Sequence, residues 1–338
     1  MQVYTNHSLK EYNSFGIDVS AEKLVVFQDS GEIVEFVNEN DLSGGNYLIL
    51  GEGSNVLFTA DVSGTVLKVG GRGIDIGHED DDKVLVSAEA GEDWDEFVHY
   101  CVNKGWGGLE NLSLIPGNVG SSPIQNIGAY GVELKDYFHE LYALNVFTGE
   151  VLAFSNKDCK FGYRTSIFKG SARGMFIVLS VSFILDKKPK PIISYKGVTE
   201  ELAEMGVEFP GIADMRQAII NIRSRKLPDP AVTGNAGSFF KNPTILRKKY
   251  ERLLNVYPGM PGYLVDDKNV KVPAAWLIEQ CGWKGKKVGN VGVHENQPLV
   301  LVNLGNAAGR EVLDLSKQVH QSVIEKFGIE LEREVTVI

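Results

Sequence analysis

Three places in the chain carry residues whose types and spacing could do chemistry. Arg164 stands in Phe161-Gly162-Tyr163-Arg164-Thr165-Ser166-Ile167-Phe168, a cation flanked by aromatic and apolar side chains. A guanidinium in such surroundings either binds a carboxylate or phosphate in bidentate fashion or lies along Tyr163 or Phe168 with its head in water. Arg223-Ser224-Arg225-Lys226 places three cations within four residues of a chain whose net charge is −10. Those cations could neutralise a diphosphate, or simply complement the C-terminus of a helix. Ser238 follows Gly237 and precedes Phe239 and Phe240. It makes no GxSxG elbow, and His7, His78, His99, His139, His294 and His320 are scattered with no HExxH. Neither a Ser-His-Asp hydrolase nor a metal centre is expected.

Two glycine-bearing stretches could hold a ligand with backbone. Gly51-Glu52-Gly53-Ser54-Asn55-Val56-Leu57 follows an apolar run, where small residues free N–H groups at the C-terminal end of a strand. It is either a phosphate cradle or a plain turn; it lacks the third glycine of a dinucleotide fingerprint, and no GxxxxGK[ST] occurs. Gly107 to Leu134 is longer, glycine-rich and nearly uncharged. It reads either as a buried irregular connection or as backbone wrapped around a ligand.

The elements that must position these residues follow from periodicity. Leu24 to Phe27 and Tyr47 to Leu50 are expected strands, joined by a helix that Ser30 caps and that carries Ile33, Val34, Phe36 and Val37, a βαβ unit. Strands follow at Thr65 to Val69 and Val84 to Ala88, with Glu79 to Asp82 as a solvated tip. Trp94, Phe97, Val98, Cys101 and Val102 fall at helical spacing and deliver the chain into the glycine-rich stretch. Antiparallel strands are expected at Leu141 to Phe147, Val151 to Phe154 and Met175 to Leu185. A helix carrying Met215, Ala218, Ile219 and Ile222 ends in the basic cluster before Leu227-Pro228-Asp229-Pro230. Later come a helix around Ala274 to Cys281, a strand at Leu299 to Val302, a helix from about Arg310 to Phe327 closed by Gly328, and a strand-like Ile329 to Ile338. Alternation in that last segment puts Glu330, Glu332 and Glu334 on one face.

Length and charge bound the function. At 338 residues the chain exceeds one comfortable core, so two or three domains are expected. The acidic balance argues against a general nucleic-acid or membrane-surface binder. Cys101, Cys159 and Cys281 are far apart and form no CxxC, which fits reduced thiols in the cytoplasm. The N-terminal residues show no signal-peptide core, and no apolar run approaches a membrane span. No coiled-coil repeat suggests an obligate assembly, and a monomer is expected.

The runs GEGSNVL, GLENLSLIPGNVGSSPIQNIGAYGVE, FGYRTSIF, KLPDP and GNAGSFFKNP, with the terminal LEREV, closely resemble the UDP-N-acetylenolpyruvoylglucosamine reductases. These are the flavin enzymes of the MurB family of peptidoglycan synthesis, and the similarity runs in the family's order from Asn6-His7-Ser8-Leu9 to the C-terminus. The resemblance implies an α+β chain: a two-subdomain FAD-binding fold of the vanillyl-alcohol-oxidase (PCMH) type plus a C-terminal α+β substrate-binding domain. It assigns 1–70, joined by 329–338, to the first FAD-binding subdomain, 71–227 to the second and 228–328 to the substrate-binding domain, with the active site between them. The Tyr195 loop and the full third domain look like the longer of the family's two types.

The resemblance also implies roles. FAD would meet Gly51, Glu52, Gly53, Ser54 and Asn55, together with Pro116, Gly117, Gly120, Ser121, Ser122, Ile127 and Gly128. NADPH would be the hydride donor and the enolpyruvyl UDP-sugar the acceptor, bound by Tyr130, Tyr163, Tyr195, Lys226, Asn242 and Gln297, with Arg223 at its diphosphate. Arg164 would meet the substrate carboxylate as charge builds there, Glu334, kept neutral by a raised pKa, would add a hydrogen bond, and Ser238 would protonate the enolate. The family's terminal motif reads Glu-Pro-Glu, whereas Arg333 replaces the proline here; either Glu332 or Glu334 could then point inward, and spacing favours Glu334. Thr165 stands where Asp or another small polar residue is common, and Ser14 where the family prefers Thr. The competing functions are a related FAD-dependent oxidase of a sugar or alcohol and a catalytically idle nucleotide-sugar-binding module.

Overall fold

The computed structural model describes residues 1–338, the side chain of Lys196 excepted. Its contacts divide the chain into two compact units. Met1–His7, Ala21–Glu52 and Val62–Ser224 form the first, and Ser8–Ser20, Gly53–Asp61 and Arg225–Ile338 the second. Among the described residues, no helix is long and apolar enough to cross a membrane.

The first unit contains two sheets. In the four-stranded one the order is Gln2–Ser8, Ser20–Val26, Val62–Lys68, Tyr47–Leu50, and Val62–Lys68 runs parallel to both of its neighbours. Ser20–Val26, the helix Ser30–Glu39 and Tyr47–Leu50 are thus the expected βαβ unit, with a later strand inserted between its two strands. The helix turns Ile33, Phe36 and Val37 inward, as its spacing requires. Its cap is Asp29 rather than Ser30: Asp29 is extended and its carboxylate accepts the Glu32 N–H at 2.8 Å, while the Ser30 hydroxyl is spent on Glu89.

The five-stranded sheet is ordered Val151–Ser155, Phe138–Asn145, Phe176–Asp186, Lys83–Glu89, Ile74–Glu79, antiparallel throughout. The edge strand Ile74–Glu79 was not legible in the sequence, because most of it is exposed and its pattern is polar. At the tip that follows, the Asp80 carboxylate accepts the N–H groups of Asp82 and Lys83, a hydrogen-bonded turn in water. Helix Trp94–Asn103 buries Trp94 and Phe97 against Phe183, with ring centroids 5.9 and 5.3 Å away. The Trp94 indole donates to the Leu112 carbonyl at 2.9 Å, which fastens the glycine-rich stretch to this core.

In the second unit a sheet of order Asn235–Ser238, Val300–Asn303, Val291–Val293, Lys287–Val288 accompanies the helix Gly309–Phe327. That helix buries Val312, Leu315, Val319 and Val323, and Gly328 ends it in the left-handed conformation. The C-terminal tail corrects the sequence reading. Only Thr336–Val337 is a strand, parallel to Val56–Leu57, while Arg333 bridges Phe240. Because the tail pairs with one segment up to Glu334 and with another from Thr336, its pleat is broken at Val335. Glu330 and Glu332 are exposed and Glu334 is buried, so alternation alone does not give the burial of the three.

Candidate active site

The turn after Tyr47–Leu50 leaves donors open. No backbone hydrogen bond of the described residues uses the N–H of Gly51 or Glu52, nor, where the chain passes into the second unit, that of Gly53 or Ser54. In the first unit a Cβ on Gly51 would stand 3.3 Å from the Asn118 Oδ1, and that oxygen is buried without a hydrogen-bond partner. Glu52 is paired with Lys68 at 3.0 Å; burial acts to raise its pKa, but Lys68 and the Asn118 side chain outweigh this and hold it below the ordinary value. In the second unit Gly53 has φ +68°, and a Cβ there would lie 2.0 Å from the Tyr12 carbonyl oxygen. Free N–H groups suit a diphosphate, and an orphaned acceptor beside Gly51 suits a ligand hydroxyl or N–H, so these residues of the first unit fit part of an FAD.

The other half of the expected cradle is built differently. Val119, Gly120, Ser121 and Ser122 donate their N–H groups to Glu92, Ala90, Asn118 and Val119 carbonyls, and the two serine hydroxyls return to Asn118 and Val119. Gly120 is required because a Cβ would sit 2.4 Å from that of Ala90. This turn therefore offers a close-packed surface and the Asn118 oxygen in place of a row of donors.

The Gly107 to Leu134 stretch is as buried as a connector should be and is also organised around polar hubs. Asn111, 1% exposed, donates to the Tyr130 and Ile192 carbonyls, both at 3.0 Å. Asn126 donates to the Gly162 carbonyl and to Glu133, and accepts the Lys135 N–H. Together with Ser166 donating to Ile124 and Lys169 to Gln125, these bonds dock the segment after Gly162 against residues 124–128.

Arg164 is the product of that docking. Gly162 and Thr165 exchange backbone hydrogen bonds around a tight turn in which Arg164 has φ +54°. Its Nη2 donates to the Gly128 carbonyl at 2.6 Å, and its guanidinium lies 5.7 Å from the Tyr163 ring. The two sequence readings are thus compatible: the cation rests on Tyr163 and is aimed by a carbonyl. Tyr130, also at positive φ, meets Tyr195 edge-on at 5.4 Å and hydrogen-bonds Arg223. Burial raises the Tyr130 pKa against the pull of Arg223, and burial lowers that of Arg223, with Arg164 close enough to add like-charge repulsion. Two guanidiniums and a phenol that interact in this way have the chemistry to meet an anion.

In the second unit Ser238 ends a bulged strand. Asn235 pairs with Val302 and Ser238 with Val300, with a register shift between them at Gly237, φ +65°. The buried Asn235 holds the bulge: its Nδ2 donates to the Pro228 and Thr233 carbonyls, and its Oδ1 accepts the Gly237 N–H. Beyond Ser238 the chain pairs with the tail, Glu334 donating its N–H to the Phe239 carbonyl and Lys241 to the Glu332 carbonyl, both at 2.9 Å. Ser238 and Glu334 are therefore neighbours through Phe239. Glu334 is 9% exposed, whereas the Glu332 side chain is 73% exposed and meets Lys241. Gln297 Oε1 and His294 Nδ1 are buried without hydrogen-bond partners, and burial lowers the His294 pKa. Asn242 spends its Oδ1 on the Ala274 N–H at the start of helix Ala274–Gln280, and Lys226 is exposed. Asn111, Asn126 and Asn235 escaped the sequence reading because single asparagines in loops look like ordinary turn formers.

Residues 229–338 match the family model described as UDP-N-acetylenolpyruvoylglucosamine reductase, C-terminal domain, and residues 21–155 match the FAD binding domain. A UDP-N-acetylenolpyruvoylglucosamine reductase of Flavobacterium johnsoniae is 47% identical over 100% of both chains. One of Pseudomonas savastanoi pv. phaseolicola is 48% identical over 99% of this chain and 98% of its own. The chain belongs to this reductase family. The MurB reductase of Thermus caldophilus, a solved structure 24% identical, shares the family's fold with a TM-score of 0.67, covering 99% of this chain and 98% of that one. The fold class is accordingly α+β, an FAD-binding part followed by the reductase C-terminal domain.

Proposed function

We propose that the chain reduces the enolpyruvyl ether of UDP-N-acetylglucosamine enolpyruvate to UDP-N-acetylmuramate, with NADPH as hydride donor, as a monomeric cytoplasmic enzyme of peptidoglycan synthesis. Its domains are read as 1–70 with 329–338, 71–227 and 228–328. FAD, held by the Gly51 to Asn55 N–H groups and by Asn118, supplies hydride transfer when bound. Hydride addition at the distal enol-ether carbon drives charge onto the substrate carboxylate as an enolate. Arg164, aimed by the Gly128 carbonyl, meets that charge, and Glu334 adds a hydrogen bond. Ser238 then gives its hydroxyl proton to the carbon next to the carboxylate. A serine is a weak acid, but a carbanion-like enolate is a strong base, so a fixed hydroxyl suffices. Arg223 and Tyr130 hold the UDP diphosphate, with Tyr163, Tyr195, Lys226, Asn242 and the orphaned Gln297 oxygen completing the sugar-nucleotide contacts.

The observation that carries this reading is the bulge that fixes Ser238 beside a buried glutamate. Stopped-flow absorbance tests it: the flavin band should bleach with NADPH and recover on adding the enolpyruvyl UDP-sugar. Ser238→Ala should leave bleaching nearly intact and slow recovery by at least ~10²-fold. Equal damage to both halves would remove Ser238 from the proton-donor role, and oxygen uptake with a hydroxyl-bearing donor would favour an oxidase instead.

A further inference from the structure

Leu114 has φ +58°, a conformation that a leucine adopts only when something holds it there. Its side chain does not, being 37% exposed. Its peptide is gripped from both sides instead. The N–H is accepted by the Asp95 carboxylate, and the carbonyl accepts Arg223 Nε–H at 3.2 Å. Asp95 is itself fixed by a bidentate pair with Arg216, Nη1 to Oδ1 at 2.6 Å and Nη2 to Oδ2 at 2.8 Å, with both side chains largely buried. Arg216 and Arg223 lie seven residues apart on helix Ile212–Lys226, two turns along one face, so a single helix supplies both ends of the clamp.

We propose that Asp95 is a positioning residue for the UDP-sugar diphosphate: with Arg216 it holds Leu114 in the left-handed conformation, and the carbonyl so presented orients Arg223 toward its anion. Occupying Nε with Leu114 leaves the two Nη groups of Arg223 to Tyr130 and the ligand, which is the fork that bidentate phosphate recognition needs. The proposal rests on the reading of Arg223 as a diphosphate ligand.

The test measures the Kd for UDP by calorimetry, and KM and kcat for the enolpyruvyl UDP-sugar, on FAD-loaded proteins. Asp95→Ala should weaken UDP binding and raise KM about tenfold, the effect of losing one aligned charged hydrogen bond, with kcat and flavin content unchanged. Glycine occupies positive φ without help, so Leu114→Gly alone should change Kd less than about twofold, and added to Asp95→Ala it should restore most of the lost affinity. Should Asp95→Ala fail to fold, Arg216→Lys, which keeps the charge and loses the bidentate geometry, should weaken UDP binding by roughly threefold. Unchanged affinity in Asp95→Ala, or in Arg216→Lys where that variant decides, overturns the proposal, as does a double variant no better than Asp95→Ala. Arg223→Ala separates the two levels: if it binds UDP normally, the reading of Arg223 falls and takes the clamp with it, whereas if it alone weakens binding, only the clamp is refuted.

Discussion

Replacing Gly53 by alanine asks whether the turn after the Tyr47–Leu50 strand is a built cradle or a plain loop. Gly53 has φ +68°, which costs an L-residue about 1–2 kcal/mol. The added Cβ would lie 2.0 Å from the Tyr12 carbonyl oxygen and 2.9 Å from Asn13 Cα, whereas ordinary contact begins at 3.4 Å. The oxygen must therefore retreat by 3.4 − 2.0 = 1.4 Å, although the Ser14 N–H holds this segment to the Gly53 carbonyl at 3.1 Å. Overpacking of that size costs about 1–3 kcal/mol, so the total is about 2–5 kcal/mol. With about 2.1 cal/mol/K of unfolding entropy per residue, a chain of 338 residues shifts by about 1.4 °C per kcal/mol, so melting should fall by roughly 3–7 °C. Flavin content after gel filtration should fall with it, because the same shift moves the free N–H groups. Added FAD should restore part of the melting temperature in a concentration-dependent way, about 2.7 kcal/mol at a hundredfold excess over Kd. An alanine variant that keeps its flavin through gel filtration and melts within about 2 °C of the parent would refute both the steric and the cradle arguments.

Three further outcomes are expected. Burial raises the Glu110 pKa, with Asp186 adding to it and the Gly108 N–H opposing, so the folded state holds the proton longer than the unfolded chain and stability is lost as pH rises from the ordinary carboxyl value through the folded one; Glu110→Gln should melt higher than the parent near pH 7, and the gain should shrink toward pH 4 in a calorimetric series. Asn111→Ala leaves the Tyr130 and Ile192 carbonyls without their donor and should cost about 2–5 kcal/mol in chemical denaturation, with weaker UDP binding because both tyrosine-bearing loops lose their tie. Glu334→Ala should slow flavin recovery on substrate by about 10²-fold while Glu332→Gln changes it less than about twofold, since only Glu334 is buried beside the Ser238 strand; stopped-flow traces showing the reverse order would reassign the glutamate.

The contrast between Glu332 and Glu334 also shows where local pattern fails. Strict alternation puts both on one face and predicts like burial, yet only Glu334, next to the point where the tail passes from the Phe239 to Lys241 backbone to Val56–Leu57, is buried. No local pattern announces such a change, because it depends on which segment lies alongside. The same holds for the Ile74–Glu79 edge strand, whose exposed residues carry no apolar alternation, and for Asp29 displacing Ser30 as a helix cap once Glu89 had claimed the serine.

By itself the sequence determined the elements with strong periodicity, Trp94–Asn103 and Gly309–Phe327 among them, and the residue types of the site: a cation among aromatics, a serine after glycine, two glycine-bearing stretches and an acidic tail. Those follow from side-chain spacing and composition, which are local quantities. What only the tertiary structure decided is how the types become groups with direction: Gly128 aiming Arg164, Asn235 holding the bulge before Ser238, Asn118 left with an unpaired oxygen, Asp95 and Arg223 gripping Leu114. All but the unpaired Asn118 oxygen are hydrogen bonds between residues that folding brings together. Even the bond from Asn235 to Gly237, two positions on, fixes a direction only where the strand pairing shifts register. The geometry of a polar site is set by such pairings, which spacing along the chain does not encode.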